Sequence, residues 1–129
     1  MTQTSSDAPI GTLTIRTLAM PADANPSGDI FGGWVLSQMD IAGGVAAGEI
    51  AKGRVVTAAI DALSFLRPVK VGDVLCVYVN QERIGNTSMK LHIEAWALRQ
   101  RAGLREKVTE ATFTFVALNE GGQPRPVQS

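Results

Sequence analysis

The sequence has very few of the residues that bind transition metals. Its 129 residues include one cysteine, Cys76, and one histidine, His92. A single cysteine excludes a disulfide within the chain, and the two residues together cannot supply the ligands of a tetrahedral zinc site built from nitrogen and sulfur. A site made of carboxylates alone remains open, although no loop pattern typical of such sites supports it. We therefore expect no bound metal.

Net charge and long apolar runs are also missing. Twelve basic residues balance twelve acidic ones, so the protein as a whole does not attract nucleic acid. No apolar run reaches the roughly 20 residues of a membrane helix, and the polar stretch from Met1 to Pro9 lacks the features of a signal peptide. The sequence therefore predicts a cytoplasmic protein with neither a nucleic-acid nor a membrane partner.

The composition is that of a folded protein with one core. Hydrophobic residues make up 45% of the chain and charged residues 19%, which is typical of globular domains. We expect a flexible N-terminus over residues 1–11, a single domain over 12–118 and a polar C-terminal tail over 119–129. Glycine, proline and polar residues dominate this tail, which we expect to fray.

Hydrophobic periodicity predicts an α+β fold with one long helix. The predicted helix runs from Trp34 to Ala51, and β-branched or alternating patterns predict strands before and after it. Turn residues at Gly85-Asn86 and near Ala102-Gly103 indicate hairpins, so the last three strands should form an antiparallel meander. One helix cannot cover both faces of five strands, and the sheet must curl around the helix or pack against a partner chain. The predicted strands cover Leu13 to Met20, Val55 to Leu66, Val74 to Asn80, the region of residues 89–97 and that of residues 111–117.

The most unusual chemistry lies between Asn25 and Asp40. A turn of Asn, Pro, Ser, Gly and Asp leads into Gly32 and Gly33, where a helix begins and backbone N–H groups can approach a ligand. Further along this helix, Asp40 is a carboxylate among apolar neighbours, where burial is costly without a purpose. The segment has the features of an active site.

Each of these residues also has a structural interpretation. Asn25 and Asp29 are common in turns and helix caps for local reasons. Gly43 and Gly44 lie on the same side of the helix as Asp40, where they allow either a ligand or a packed sheet to come close. A structural role for Asp40 requires a buried partner that the sequence does not identify.

Motifs spread along most of the chain resemble the YciA-like acyl-CoA thioesterases of the hot-dog superfamily. The resemblance covers about residues 12–127. It rests on Arg16-Thr17-Leu18-Ala19-Met20-Pro21, Asn25 with Gly28-Asp29-Ile30-Phe31-Gly32-Gly33-Trp34, Ser37-Gln38-Met39-Asp40, Phe65-Leu66-Arg67-Pro68-Val69, Val71-Gly72-Asp73 and Thr109-Glu110-Ala111 with Phe113.

The resemblance implies a hot-dog fold, in which a long central helix is wrapped by an antiparallel sheet of about five strands. It also implies dimers with sheets joined side by side, active sites between the two chains and further assembly as a trimer of dimers. The family's catalytic acid falls on Asp40, its loop asparagine on Asn25, and its thioester-polarising backbone on Phe31, Gly32 and Gly33. Related thioesterases often have histidine where Phe31 stands, but the YciA-like subgroup shares the phenylalanine.

The expected reaction is hydrolysis of acyl-CoA to coenzyme A and a carboxylic acid without a metal or organic cofactor. Asp40 would act as general base or as nucleophile, and the backbone of Gly32 and Gly33 would stabilise the oxyanion. Expected contacts to coenzyme A are Arg54, Arg67, Asn86, Thr87 and Ser88.

Two alternatives remain open at this point. One is an acyl-CoA-binding sensor without turnover. The other is an enoyl-CoA hydratase, whose sites usually pair aspartate with histidine. We expect His92 to be an exposed strand residue instead, and the chain has no other histidine.

Overall fold

The structure, a computed structural model, describes residues 8–99 and 103–128 and has the predicted order of one strand, one long helix and four strands. A short 3₁₀ turn at Pro21–Asp23 leads towards the helix. The elements are β1 (Thr12–Leu18), α1 (Gly32–Ala51), β2 (Val55–Phe65), β3 (Val74–Ile84), β4 (Ser88–Arg99) and β5 (Leu104–Ala117).

The five strands form one antiparallel sheet in the order β1-β3-β4-β5-β2. The predicted meander of β3, β4 and β5 is confirmed, and the N–H of Gly85 closes the first hairpin on the carbonyl oxygen of Ser88 at 2.8 Å. Gly103 lies in the second hairpin with φ of 62°, whereas Ala102 lies outside the described residues. Among these strands β2 pairs only with β5, so its other edge is free.

One face of the sheet packs against α1, as the alternation in β4 and β5 predicted. The inward side chains of both strands are almost completely buried, among them Met89, Leu91, Ile93, Phe113 and Phe115. Gly43 lies directly above this layer. A Cβ atom there would come within 2.7 Å of both Ile93 and Phe115. This glycine therefore serves close packing of the helix on sheet side chains.

The outer face of the sheet contains a buried carboxylate. Glu94 is only 1% exposed and accepts hydrogen bonds from Nε1 of Trp96 at 2.8 Å and from the backbone N–H of Ile10 at 3.3 Å. Burial opposes ionisation of Glu94, but the hydrogen bonds from Trp96, His92 and Ile10 and the charge of Lys107 outweigh it and lower its pKa. This network attaches the start of the described chain to the sheet.

The expectation that the C-terminal tail frays is wrong for its described part, which ends at Gln128. Val127 is 3% exposed, and its N–H donates to the carbonyl oxygen of Asn86 at 2.8 Å. Arg125 donates from Nη2 to the carbonyl oxygen of Ala51 at 2.7 Å. The last carbonyls of a helix lack partners within the helix, and the arginine supplies one, which holds the polar tail in place.

Residues 1–7 of the expected flexible N-terminus lie outside the described residues, as does Ser129. Within the described part, no helix combines the length and the apolar character needed to cross a membrane.

Candidate active site

Asn25 closes the loop that leads into α1. Its Oδ1 accepts hydrogen bonds from the backbone N–H groups of Ser27 at 2.9 Å and Asp29 at 3.1 Å, and its own N–H donates to the carbonyl oxygen of Asp29 at 2.6 Å. These contacts give Asn25 the local turn role that its residue type favours. Within the described residues, its side-chain amide nitrogen makes no hydrogen bond and is free to bind a ligand.

The loop is also fixed to the segment before β3. The N–H of Ile30 donates to the carbonyl oxygen of Val69 at 2.9 Å, and the carboxylate of Asp29 forms an ion pair with Lys70. Asp29 is thus a structural residue of the loop, and the start of the helix is held in a defined position.

The first turn of α1 presents free backbone donors. Helix N-termini leave their first N–H groups without partners in the helix, and no hydrogen bond to another described residue satisfies those of Gly32 and Gly33. A Cβ atom at Gly33 would meet nothing within 4 Å, whereas one at Gly32 would lie 3.2 Å from Cζ of Phe65. Phe31 precedes both glycines and is half-exposed. The double glycine therefore has one open side and one side closed by an aromatic ring.

The partner of Asp40 is Thr57. The Oγ1 of Thr57 donates to Oδ1 of Asp40 at 2.6 Å, and the carboxylate is partly buried. Its neighbours Ile41 and Val45 are about half-exposed, so the surroundings of Asp40 are less enclosed than the sequence suggested. Ser37 does not reach the carboxylate, since its hydroxyl donates to the carbonyl oxygen of Trp34.

Helix α1 and the edge strand β2 form the two sides of the site. The ring of Phe65 lies beside Gly32 at the start of the helix, and Thr57 donates a hydrogen bond to Asp40 further along it. The free edge of β2 leaves this region open within one protomer. No hydrogen bond joins Asn25 to Asp40 among the described residues of the chain, although both belong to the expected catalytic set.

Three of the expected coenzyme A contacts, Arg54, Asn86 and Thr87, lie near the C-terminal end of α1. A cleft of about 890 Å³ there is lined by Lys52 and Arg54 and by part of the C-terminal tail. The carbonyl oxygens of Asn86 and Thr87 accept hydrogen bonds from Val127 at 2.8 Å and Ala117 at 3.0 Å. The hairpin thus supports the segment that forms one wall of the cleft.

The other two expected contacts differ in position. Ser88 begins β4 next to this hairpin. Arg67 lies away from the cleft: its Nη1 donates to the carbonyl oxygen of Lys107 at 2.8 Å, and its Nε is 3.7 Å from the carboxylate of Glu106. Arg67 therefore does not join the group around the cleft in this protomer.

His92 belongs to the outer face of the sheet, whereas Asp40 lies on the helix packed against the inner face. Its Nε2 is 2.9 Å from Glu94 and 3.3 Å from Glu110, an arrangement whose ligand atoms fall within the spacing of a metal site. Nζ of Lys107 already lies 3.2 Å from Glu110 and 3.8 Å from Glu94 and supplies positive charge to the cluster. His92 is not paired with Asp40, and the aspartate–histidine pair typical of hydratases is not formed.

Comparison with known proteins identifies similar chains over nearly the whole length. Residues 27–103 match the thioesterase superfamily. The chain is 51% identical over 127 residues to the acyl-CoA thioester hydrolase YciA of Salmonella typhimurium, with 96% of each protein covered.

Solved structures with the same architecture include two hexamers. The hexameric thioesterase of Yersinia pestis superposes with a TM-score of 0.90 at 52% identity, covering 95% of this chain and 99% of that one. HI0827, a hexameric broad specificity acyl-coenzyme A thioesterase, superposes with a TM-score of 0.89 at 46% identity, covering 95% and 84%. The expected hot-dog fold is thereby confirmed.

Proposed function

Since the chain belongs to the YciA-like acyl-CoA thioester hydrolases of the thioesterase superfamily, we propose that it hydrolyses acyl-CoA to coenzyme A and a free carboxylic acid. The observation that carries this proposal is the position of Asp40 on α1. Its partly buried carboxylate accepts a hydrogen bond from Thr57, and the first N–H groups of the same helix are free. Thioester hydrolysis needs a base or nucleophile and donors for the developing oxyanion.

The donors belong to the first turn of α1. The carbonyl oxygen of the thioester accepts hydrogen bonds from the N–H groups of Gly32 and Gly33, which strengthen as negative charge develops on that oxygen. Each such donor is generally worth about 3 kcal/mol in the transition state. The positive end of the helix dipole acts in the same direction.

Asp40 performs the nucleophilic step in one of two ways. As a general base it removes a proton from water while the water oxygen attacks the carbonyl carbon. As a nucleophile it attacks that carbon itself, and water later hydrolyses the mixed anhydride. In both routes the tetrahedral intermediate collapses with cleavage of the C–S bond, and the sulfur of coenzyme A leaves as a thiolate that takes up a proton.

Thr57 is the positioning residue for this step. Its hydroxyl holds Oδ1 of Asp40, and no hydrogen bond from another described residue occupies Oδ2. One carboxylate oxygen is thus fixed while the other is left for water or the substrate.

A complete site requires a second copy of the chain. No hydrogen bond joins Asn25 to Asp40 within one protomer, and about 10 Å of helix separates the N–H group of Gly33 from Asp40. We therefore assign to each site Asp40 from one chain together with the partner subunit's Asn25, the partner's Gly32 and the partner's Gly33. The free edge of β2 exposes the apolar side chains of Val56 and Ile60, so pairing of two β2 strands would cover backbone and apolar surface together. Three such dimers would give a hexamer, the assembly named for the Yersinia protein and HI0827.

The cleft at the end of α1 is suited to the phosphates of coenzyme A. Lys52 and Arg54 are exposed there, and neither forms an ion pair with another described residue. Arg54 precedes Thr57 by three residues, which corresponds to about 10 Å along an extended strand. The extended pantetheine arm of coenzyme A can span such a distance. The thioester end then reaches Asp40, where the partner's Phe31, the partner's Gly32 and the partner's Gly33 complete the site, and the Asn86-Thr87-Ser88 hairpin supports the phosphate end.

The test compares Asp40→Asn with Asp61→Asn. Both positions are aspartates near the same edge, but Asp61 is exposed on β2, and its side chain makes no hydrogen bond or ion pair with other described residues. Asparagine is nearly isosteric with aspartate but is neither a base nor a nucleophile. We expect Asp40→Asn to lower turnover by about 100-fold or more, with unchanged thermal stability and assembly, and Asp61→Asn to retain wild-type turnover. Thiol release from acyl-CoA measures both, and near-wild-type turnover by Asp40→Asn contradicts the assignment.

A further inference from the structure

The two glycines proposed as oxyanion donors have different surroundings. The space beside Gly33 is open, whereas the three heavy atoms nearest to a Cβ at Gly32 all belong to the ring of Phe65, at 3.2 to 3.6 Å. A thioester whose oxygen lies on these donors must therefore approach from the side of Gly33. The ring of Phe65 then stands beside the reacting carbonyl.

The position of Phe65 is fixed by its strand. It is the last residue of β2 and pairs with Thr109 of β5, a residue that is completely buried and whose hydroxyl donates to the carbonyl oxygen of Ser64. The ring itself is 51% exposed in the protomer. The backbone of Phe65 is thus held by β5, while its ring is not part of the core.

The ring points towards the helix. The partners of Thr57 and Phe65 on β5 are Phe115 and Thr109, which lie an even number of residues apart. Phe65 is therefore on the same side of the sheet as Thr57, the residue that contacts Asp40. The free backbone edge of β2, where we propose the partner chain to pair, lies in the plane of the sheet, perpendicular to this direction. A half-exposed aromatic ring between the helix and the site offers its free surface to a bound apolar group.

We infer that Phe65 forms one wall of the acyl-binding site and limits the length of the acyl chain that is hydrolysed efficiently. This inference rests on the proposed thioesterase function. The ligand is the apolar acyl part of the thioester, and the ring blocks the space into which a longer chain extends beyond Gly32. Pockets of this kind discriminate between acyl groups because each methylene group changes the free energy of the bound transition state.

The experiment is an acyl-length profile of Phe65→Ala. Removing the ring deletes contacts to short chains and opens space for longer ones, so both effects raise the ratio of kcat/KM for decanoyl-CoA to that for butyryl-CoA. We expect this ratio to rise by about tenfold or more. Phe65→Trp enlarges the wall and should lower the ratio. Phe65→Leu keeps an apolar side chain and should give an intermediate ratio, which provides a test that does not depend on the alanine variant alone.

The matched control is Leu66→Ala. Leu66 is the next residue along the chain and is exposed to the same extent, 51%, but it is not among the nearest neighbours of Gly32. We expect Leu66→Ala to leave the ratio unchanged. Solution mass and thermal stability of every variant show whether assembly has changed.

Failure of this inference is distinct from failure of the proposed function. If the Phe65 variants change kcat/KM by the same factor for all chain lengths, or if Leu66→Ala shifts the ratio equally, Phe65 does not select the acyl group. A loss of assembly with a constant ratio leads to the same conclusion. A wild-type protein that releases no thiol from any acyl-CoA contradicts the thioesterase function itself.

Discussion

The orientation of individual side chains at the candidate site is set by the hydrogen bonds that they accept. Asn25 uses its side-chain oxygen to close its own loop, and only its amide nitrogen is left for a ligand. Asp40 uses one oxygen to accept from Thr57 and keeps the other. In both cases a structural contact orients a side chain while leaving one polar atom free. A structural and a catalytic role are therefore compatible for the same residue.

Substitution of Thr57 tests whether its hydrogen bond positions Asp40 for the reaction. Thr57→Val removes the hydroxyl but keeps the β-branched shape, and we expect kcat to fall roughly 10- to 150-fold, since a hydrogen bond to a charged group is worth roughly 1.5 to 3 kcal/mol. KM should change little, because Thr57 acts on Asp40 rather than on the substrate. Thr57→Ser retains the donor and should restore most of the turnover. Steady-state kinetics decide the point, and equal kcat values for the valine and serine variants would show that the hydroxyl has no part in positioning Asp40.

The sequence indicated Asp40 and the double glycine but not Thr57 or Phe65. Asp40 stands out because a carboxylate in an apolar helical segment is unusual, and this local signal needs no tertiary information. Thr57 is a common residue in strands, and its importance comes from the position of β2 beside α1. The importance of the Phe65 ring likewise comes from the position of β2 beside α1. Such contacts depend on the register between elements distant in sequence, which periodicity does not specify.

At the scale of elements, the helix and the sheet approach closely because of one glycine. Gly43 faces Ile93 and Phe115 with no room for a Cβ atom, whereas a Cβ at Gly48 would make an ordinary contact, 3.6 Å from the nearest atom. Helix propensity does not distinguish these two residues, since any glycine lowers it. Their tertiary surroundings give them opposite expected effects on substitution.

We expect Gly43→Ala to destabilise the protein and Gly48→Ala to stabilise it. The first substitution overpacks the core, which typically costs about 1 to 3 kcal/mol. The second gains about 1 kcal/mol of helix propensity without a clash. Chemical denaturation at one fixed protein concentration measures both, because the stability of an oligomer depends on concentration. Stabilisation by Gly43→Ala would mean that the helix does not pack this closely on the sheet.

For the molecule as a whole, the free edge of β2 and the lack of a hydrogen bond between Asn25 and Asp40 within one protomer both favour an assembly with shared sites. A mixture of Asp40→Asn and Asn25→Ala subunits tests this sharing. A mixed dimer contains one site with both wild-type residues and one with neither, so we expect activity to return towards half of the wild-type value per mixed dimer. Neither variant alone should be active.

Subunit exchange must be verified in this experiment, for example by mass spectrometry of differently labelled chains. The matched control is a mixture of two Asp40→Asn preparations, which should remain inactive. Confirmed exchange without recovery would place both residues in the site of the same chain or remove Asn25 from the reaction.

The strand order β1-β3-β4-β5-β2 also determines when this site can form as the chain is synthesised. Strand β2 is made directly after α1, but its only neighbour within the sheet is β5, the last strand to be made. Thr57 and Phe65 are therefore without their sheet support while β3 and β4 are being added. Pairings between distant segments are slow because the loop must close before the contacts are gained. The proposed substrate-binding region is thus among the last parts of the protomer to be completed, and the edge through which we propose dimerisation is formed in the same step.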